Sequence, residues 1–236
     1  MRKWLPLLTA VVLALQLAGC GAAGTGSNPS SANHPTASAE ASQSASPSTD
    51  PKGASPDGSP SAPAPSVEPS KEAQLKQTAT EAAEALRDRN LKRLASLVDP
   101  ERGLRFSPYA HMDDKGDQVF AKDQLPSFKS ADKLNWGTMD GSGEKIDLTF
   151  REYFEKFVYD QDFASAPTVS VNKLVSRGNS AYNGKDIYPN ASFVEFHYPG
   201  FDSKLDGMDW ESLILTLVPD GSEWRLVAIS HSQWTI

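Results

Sequence analysis

A change of composition near residue 70 is the feature that most constrains how this chain of 236 residues can fold. From Gly21 to about Ser70 the sequence consists almost wholly of Ser, Pro, Ala, Gly and Thr. Such a segment cannot bury enough apolar surface to offset the entropy of ordering its backbone. We therefore expect residues 20–70 to be a disordered tether and residues 71–236 to form a single globular domain.

The first 19 residues have the order of an export signal. Two basic residues precede an apolar stretch from Trp4 to Leu17, which is shorter than the roughly 20 apolar residues that a membrane-spanning helix needs. Leu-Ala-Gly then leads directly to Cys20, the single cysteine of the chain. This arrangement resembles the lipobox of bacterial lipoproteins. The resemblance implies that residues 1–19 are removed, and that a diacylglyceryl group with fatty acyl chains such as palmitate anchors Cys20 in the cell membrane, at its extracytoplasmic face.

Charge and cysteine content restrict the partners and the chemistry. The formal net charge is −7, and no dense block of Lys or Arg could track a phosphate backbone, so we expect no nucleic-acid partner. Once Cys20 is acylated, no thiol remains for disulfides, thiolate catalysis or metal binding. We expect no cofactor and no bound metal. The membrane, contacted through the anchor, and an envelope protein or a small ligand remain as partners.

Hydrophobic periodicity predicts three helices. Leu75 to Leu86 repeat at helical spacing within a helix from Lys71 to about Arg89, and Asn90 can cap a shorter second helix. Thr149-Phe-Arg-Glu152 has the form of a capping box, and it is followed by an aromatic stripe that should lie on a sheet.

Strands are predicted after, and in part between, these helices. Short β-like segments occur at 103–109, 145–148, 168–175, 192–198, 210–218 and 223–231. Pro219-Asp-Gly-Ser222 favours a hairpin between the last two. Helices first and antiparallel strands last are typical of an α+β domain whose helices pack on one face of a curved antiparallel sheet.

This order of elements over residues 71–236 resembles that of the NTF2-like superfamily, whose cone-shaped α+β fold begins with helices and ends with long antiparallel strands. Residues 104–111, 136–144 and 207–210, with the ending Gln-Trp-Thr-Ile, also resemble segments of a group of small bacterial lipoproteins. The first resemblance implies a cone with room for acidic and imidazole side chains, as in NTF2-like enzymes.

Glu195 and His197 share one face of their predicted strand and could form an acid/base pair or two metal ligands inside such a cone. Alternation of polar and apolar residues favours the other interpretation, in which both side chains face solvent. With Asp209, which precedes a tryptophan, they are the catalytic candidates.

Further candidates concern ligand and metal binding. Aromatic and imidazole side chains near polar loops suit the rim of a pocket, and six are candidates for ligand binding: Tyr109, His111, Trp136, Trp210, His231 and Trp234. The alternative for the three tryptophans is that they fill the core. The histidines at 111, 197 and 231 lack the spacing of a zinc site, and the aspartates within 113–117 do not match a calcium-binding loop.

The sequence thus favours a lipid-anchored, extracytoplasmic accessory or binding domain over an enzyme. The alternative is an NTF2-like enzyme that uses Glu195, His197 or Asp209 as its acid/base group in the cone.

Overall fold

The structure is a computed structural model, and it describes residues 69–234. The expected signal peptide, the lipidation of Cys20 and nearly all of the expected tether lie outside the described residues. All described residues belong to one compact unit. No helix in residues 69–234 combines the length and apolar character that crossing a membrane requires.

Four α-helices occur in the described part of the chain: α1 Lys71–Arg87, α2 Leu91–Leu97, α3 Phe150–Phe157 and the single-turn α4 Gly184–Ile187. The first three were predicted, and each begins at a side-chain cap, which is supplied by Ser70, Asn90 and Thr149 in turn. Helix α1 ends two residues before the predicted end, because Arg89 adopts a left-handed conformation with φ of 50°.

The described strands are β1 Leu104–Ser107, β2 Gln118–Phe120, β3 Lys133–Thr138, β4 Lys145–Thr149, β5 Thr168–Val171, β6 Ser192–Tyr198, β7 Glu211–Asp220 and β8 Glu223–Gln233. Six of them form a sheet in the order β2-β1-β8-β7-β6-β5, and β3 pairs with β4 in a separate hairpin. All neighbours in the large sheet are antiparallel except β1 and β8. The domain is therefore mixed α+β, and its last two strands form the predicted hairpin.

One face of the large sheet, the core face, bears the main apolar cluster. Val194 of β6, Leu213 and Leu215 of β7, and Leu75 of α1 belong to this cluster. Large aromatic side chains fill it, each less than 2% exposed: Phe106, Trp136, Phe150, Tyr153, Phe154, Phe157 and Phe163. Burial of one such side chain stabilises the fold by about 1.5–3 kcal/mol. The space beside the core face is thus occupied by the protein's own side chains.

The opposite face of the sheet, the second face, is rich in buried polar groups, which include Arg105, Glu195, His197, Ser212, Thr216 and Ser230. Residues 108–117 and 172–191 contribute buried residues or hydrogen-bond partners to this face and are largely irregular. The Asn183 side chain joins the two segments, because it accepts from the Met112 N–H at 2.8 Å and donates to the Met112 carbonyl at 3.0 Å. Tyr182 fastens the second segment to the sheet through Thr216, with 2.9 Å between the hydroxyl oxygens.

Candidate functional site

Glu195 and His197 lie on the same face of β6, as predicted, but that face is the second face. Their exposed fractions are 0% and 6%, so the interpretation that both face solvent is wrong. The alternation of β6 reports which side chains share a face. It carries no information about the segment 172–191, which covers Glu195, or about Trp210, which packs beside His197.

The Glu195 carboxylate is hydrogen-bonded to the segment 172–191. It accepts hydrogen bonds from the backbone N–H groups of Val175 and Ser176, the latter at 3.0 Å. The Ser170 hydroxyl lies 3.5 Å from the same carboxylate. Both oxygens are therefore engaged by the protein itself, on the side of the sheet away from the core face.

The His197 side chain forms a hydrogen bond with the neighbouring strand of the sheet. Its Nδ1 lies 2.8 Å from the Ser212 hydroxyl on the neighbouring strand β7, and its ring centroid lies 6.0 Å from that of Trp210. Burial lowers the pKa of this imidazole, while the nearby Glu195 carboxylate acts in the opposite direction. The neutral form is therefore favoured near pH 7.

Asp209 closes the loop between β6 and β7. Its carboxylate accepts from the backbone N–H of Asp202 at 2.7 Å and of Phe201 at 2.9 Å. These hydrogen bonds lower the pKa of the carboxyl, so Asp209 is ionised at neutral pH. The three catalytic candidates thus bond three different segments, and the structure does not gather them on the core face.

The six candidates for ligand binding have separate environments. Trp136 is fully buried in the core, where it stacks on Tyr153 with 3.9 Å between ring centroids, and Trp210 is 7% exposed. Both therefore match the core alternative, whereas Trp234 is 44% exposed. Tyr109 and His111 line an open groove of about 290 Å³ beside the turn at 140–143.

The sixth candidate, His231, lies on the core face near the end of β8, opposite Leu213. Its Nε2 lies 3.1 and 3.2 Å from the two carboxylate oxygens of Asp160, in the turn that follows α3. Glu211, the first residue of β7, completes a group of three in which one potential ligand atom from each residue lies within 4.8 Å of the others. These are the residues of the described chain that could hold a metal ion.

This group could not be found from the sequence, since Asp160 and Glu211 stand far from His231 along the chain and in no characteristic spacing. The histidines considered for a zinc site do not converge. His197 lies on the second face, His231 lies on the core face, and His111 is exposed in a loop.

The aspartates within 113–117 surround an arginine. Arg105 of β1 points to the second face, where its guanidinium donates to Asp114 at 2.9 Å and lies 3.6 Å from the Asp117 carboxylate. It also donates to the Tyr188 hydroxyl at 3.1 Å. Asp114 thus pairs with a cation that the chain itself supplies, and Asp117 lies beside the same guanidinium.

Comparisons with known proteins add little to this geometry. No family model matches the chain, and no curated protein matches it. Among the solved structures that match is a designed NTF2 protein, which is 12% identical over 66% of this chain and 94% of its own. The TM-score is 0.26, a likeness too low to assign the fold.

Proposed function

We propose that this chain is a membrane-tethered accessory domain that binds a protein partner at the extracytoplasmic face of the cell membrane. The order of the first 70 residues supports the placement, because an export signal, a lipidation motif at Cys20 and a Ser/Pro/Ala-rich tether follow one another. A diacyl anchor retains such a protein stably, because two acyl chains bind the bilayer far more strongly than one.

The packing of the core face favours binding over catalysis. An enzyme of the cone-shaped class needs an internal cavity with a reactive group at its base. Here aromatic side chains such as Trp136 and Tyr153 occupy that space, and Glu195 instead bonds the segment that covers the opposite face.

The observation that carries the proposal is the exposure of apolar side chains in the loop between β6 and β7. Phe201, Leu205 and Met208 are 50%, 43% and 48% exposed. Trp234, 44% exposed, follows β8 at the same end of the sheet, because Gln233 pairs with Glu211 at the start of β7. An apolar group of this kind is typical of a binding surface.

The charges of this loop indicate the chemistry of the partner. Aspartates at 202, 206 and 209 accompany the apolar residues, with Lys204 as the one basic residue between them. We infer a protein partner with an apolar site bordered by basic residues, since such a border complements the loop.

The finer architecture is also a proposal. We infer an NTF2-like arrangement for residues 71–236, because helices α1 and α2 come first and the long antiparallel strands β6, β7 and β8 come last. The order of elements supports this assignment.

The anchor is tested by mass spectrometry of the mature protein extracted from membranes. We expect an N-terminal peptide that begins at Cys20 and carries the mass of a diacylglyceryl group. The Cys20→Ser variant should retain residues 1–19, because the lipoprotein peptidase acts on the acylated cysteine. Normal cleavage of that variant, or a mature terminus without acyl mass, would contradict the anchor.

The binding surface is tested by photocrosslinking in intact cells. A benzophenone amino acid replaces Phe201, and the control replaces the exposed Lys122, which follows β2 at the far edge of the sheet. We expect a discrete protein adduct from position 201, weakened by high salt because the loop is acidic. No adduct, or equal adducts from both positions, would refute the surface.

A further inference from the structure

We propose that Asp160, Glu211 and His231 form a binding site for a divalent transition-metal ion, with Zn²⁺ the ion that the donor set suits best. The site is independent of the apolar loop. It combines one imidazole nitrogen with two carboxylates, which are ligands that Zn²⁺ accepts together in proteins.

The first support is convergence from separate segments. Asp160 comes from the turn after α3, Glu211 from the start of β7, and His231 from the end of β8. One potential ligand atom from each lies within 4.8 Å of the other two. The register of β7 with β8 fixes the positions of Glu211 and His231. Leu213 pairs with His231, and Glu211 lies two residues before Leu213, so its side chain is on the same face of the sheet as that of His231.

The second support is a buried carboxylate oxygen of this group, Oε2 of Glu211, which has no hydrogen-bond partner among the described residues. Nδ1 of His231 is also buried and unpartnered, but it lies on the side of the ring away from Nε2 and Asp160. Buried polar atoms are nearly always bonded, and an exception often marks a place where a water or an ion binds. The His231 side chain is itself 0% exposed.

The electrostatic balance also favours a cation. No Lys or Arg of the described residues lies within 4.0 Å of the Asp160 or Glu211 carboxylates; the one ion pair found at this group joins Asp160 to His231. Two carboxylates held this close repel one another, and a divalent ion removes that repulsion.

The surroundings fix the imidazole and leave an entry path. The rings of Phe157 and Phe163 meet the His231 ring edge-to-face, with centroid distances of 6.5 and 6.2 Å. Asp160 retains 18% side-chain exposure, so an ion can reach the group from solvent on that side.

The competing account is that a proton on His231 holds the two carboxylates together with no metal. The test uses the full-length chain in detergent, stripped with EDTA and titrated with Zn²⁺ alone against a chromogenic chelator. Glu211→Gln and Asp160→Asn remove one ligand charge each while they preserve side-chain size. Glu144→Gln, at an exposed glutamate outside the group, is the matched control.

We expect one Zn²⁺ per chain, and affinity at least about tenfold weaker in each of the two ligand variants but unchanged in the control. Circular dichroism verifies that the variants are folded, and ¹⁵N NMR of the His231 ring should show a metal-bound nitrogen. The proposal is overturned if no stoichiometric Zn²⁺ binds, if binding survives both ligand variants, or if the His231 ring is doubly protonated and unaffected by Zn²⁺.

Discussion

At the scale of single residues, Glu195 shows how a carboxylate is tolerated where side chains are fully buried. It is 0% exposed, and its partners in the described chain are two backbone N–H groups and the Ser170 hydroxyl. Hydrogen bonds to a charged acceptor are stronger than those between neutral groups, and they compensate part of the desolvation cost. The residue therefore joins β6 to the segment that covers the second face.

The Glu195→Gln variant separates this structural role from a catalytic one. The glutamine presents an NH₂ group in place of one acceptor oxygen, so a backbone N–H at Val175 or Ser176 loses its partner. We expect the free energy of unfolding in urea to fall by about 1–3 kcal/mol. Hydrogen exchange at these two amides should become faster. Unchanged stability and exchange would contradict the structural role and leave Glu195 available as an acid/base group.

At the scale of elements, the passage from β4 into α3 depends on one threonine. Thr149 is the last residue of the strand and the N-cap of the helix, where its hydroxyl accepts from the Glu152 N–H at 3.3 Å. The Glu152 carboxylate in turn accepts from the Thr149 N–H at 2.8 Å and from the Thr149 hydroxyl at 3.0 Å, and these two hydrogen bonds lower the pKa of that carboxyl. The cap thus places the aromatic face of α3 on the core cluster.

We expect Thr149→Ala to lower the free energy of unfolding by about 0.5–2 kcal/mol, because the N-cap acceptor is lost. Thr149→Ser keeps the hydroxyl and should remain close to the wild type. Thermal and urea unfolding of the two variants measure the difference. Equal losses in both variants would show that the methyl group of Thr149, and not its hydroxyl, stabilises this junction.

How far the sequence predicts these elements depends on how local their signals are. Helices α1 and α3 carry their own apolar period and caps, and β7 and β8 carry a turn sequence, so all four were predicted. Strand β3 alternates polar and apolar residues only from Lys133 to Trp136 before Gly137 ends the pattern, and β2 has only three residues, so both signals are short. The parallel pairing of β1 with β8 joins segments that are distant along the chain, and no local pattern reports it.

The candidate site was harder to predict for the same reason. His231 was a candidate by residue type, but Asp160 and Glu211 meet it only through the register of two strands and the end of a helix. Likewise, the burial of Glu195 depends on residues 172–191, a largely irregular segment in which no local pattern indicates that it covers the sheet.

At the scale of the whole molecule, groups with shifted pKa values make the stability of the fold depend on pH, and they act in opposite directions. Hydrogen bonds lower the pKa of the carboxyls of Glu152, Asp162 and Asp209, so the stability that they contribute is lost as the pH falls through their folded-state values. Asp117 behaves in the opposite way. Burial raises the pKa of its carboxyl to about 7, while Arg105 counteracts the rise.

The folded protein therefore binds a proton at Asp117 more tightly than the unfolded chain does. The stabilisation from this proton is complete below the ordinary carboxyl pKa near 4 and is lost as the pH rises towards 7. The free energy of unfolding changes by at most about 1.4 kcal/mol per pH unit in that window.

Asp117→Asn removes this titration, and Arg105 keeps Asp114 and Tyr188 as partners. We expect the stability of the variant relative to the wild type to increase as the pH rises from 4 to 7, and thermal unfolding at several pH values measures it. A difference that decreases over this range would show that the Arg105 charge, and not burial, governs Asp117, and a constant difference would show that the carboxyl pKa does not change on folding.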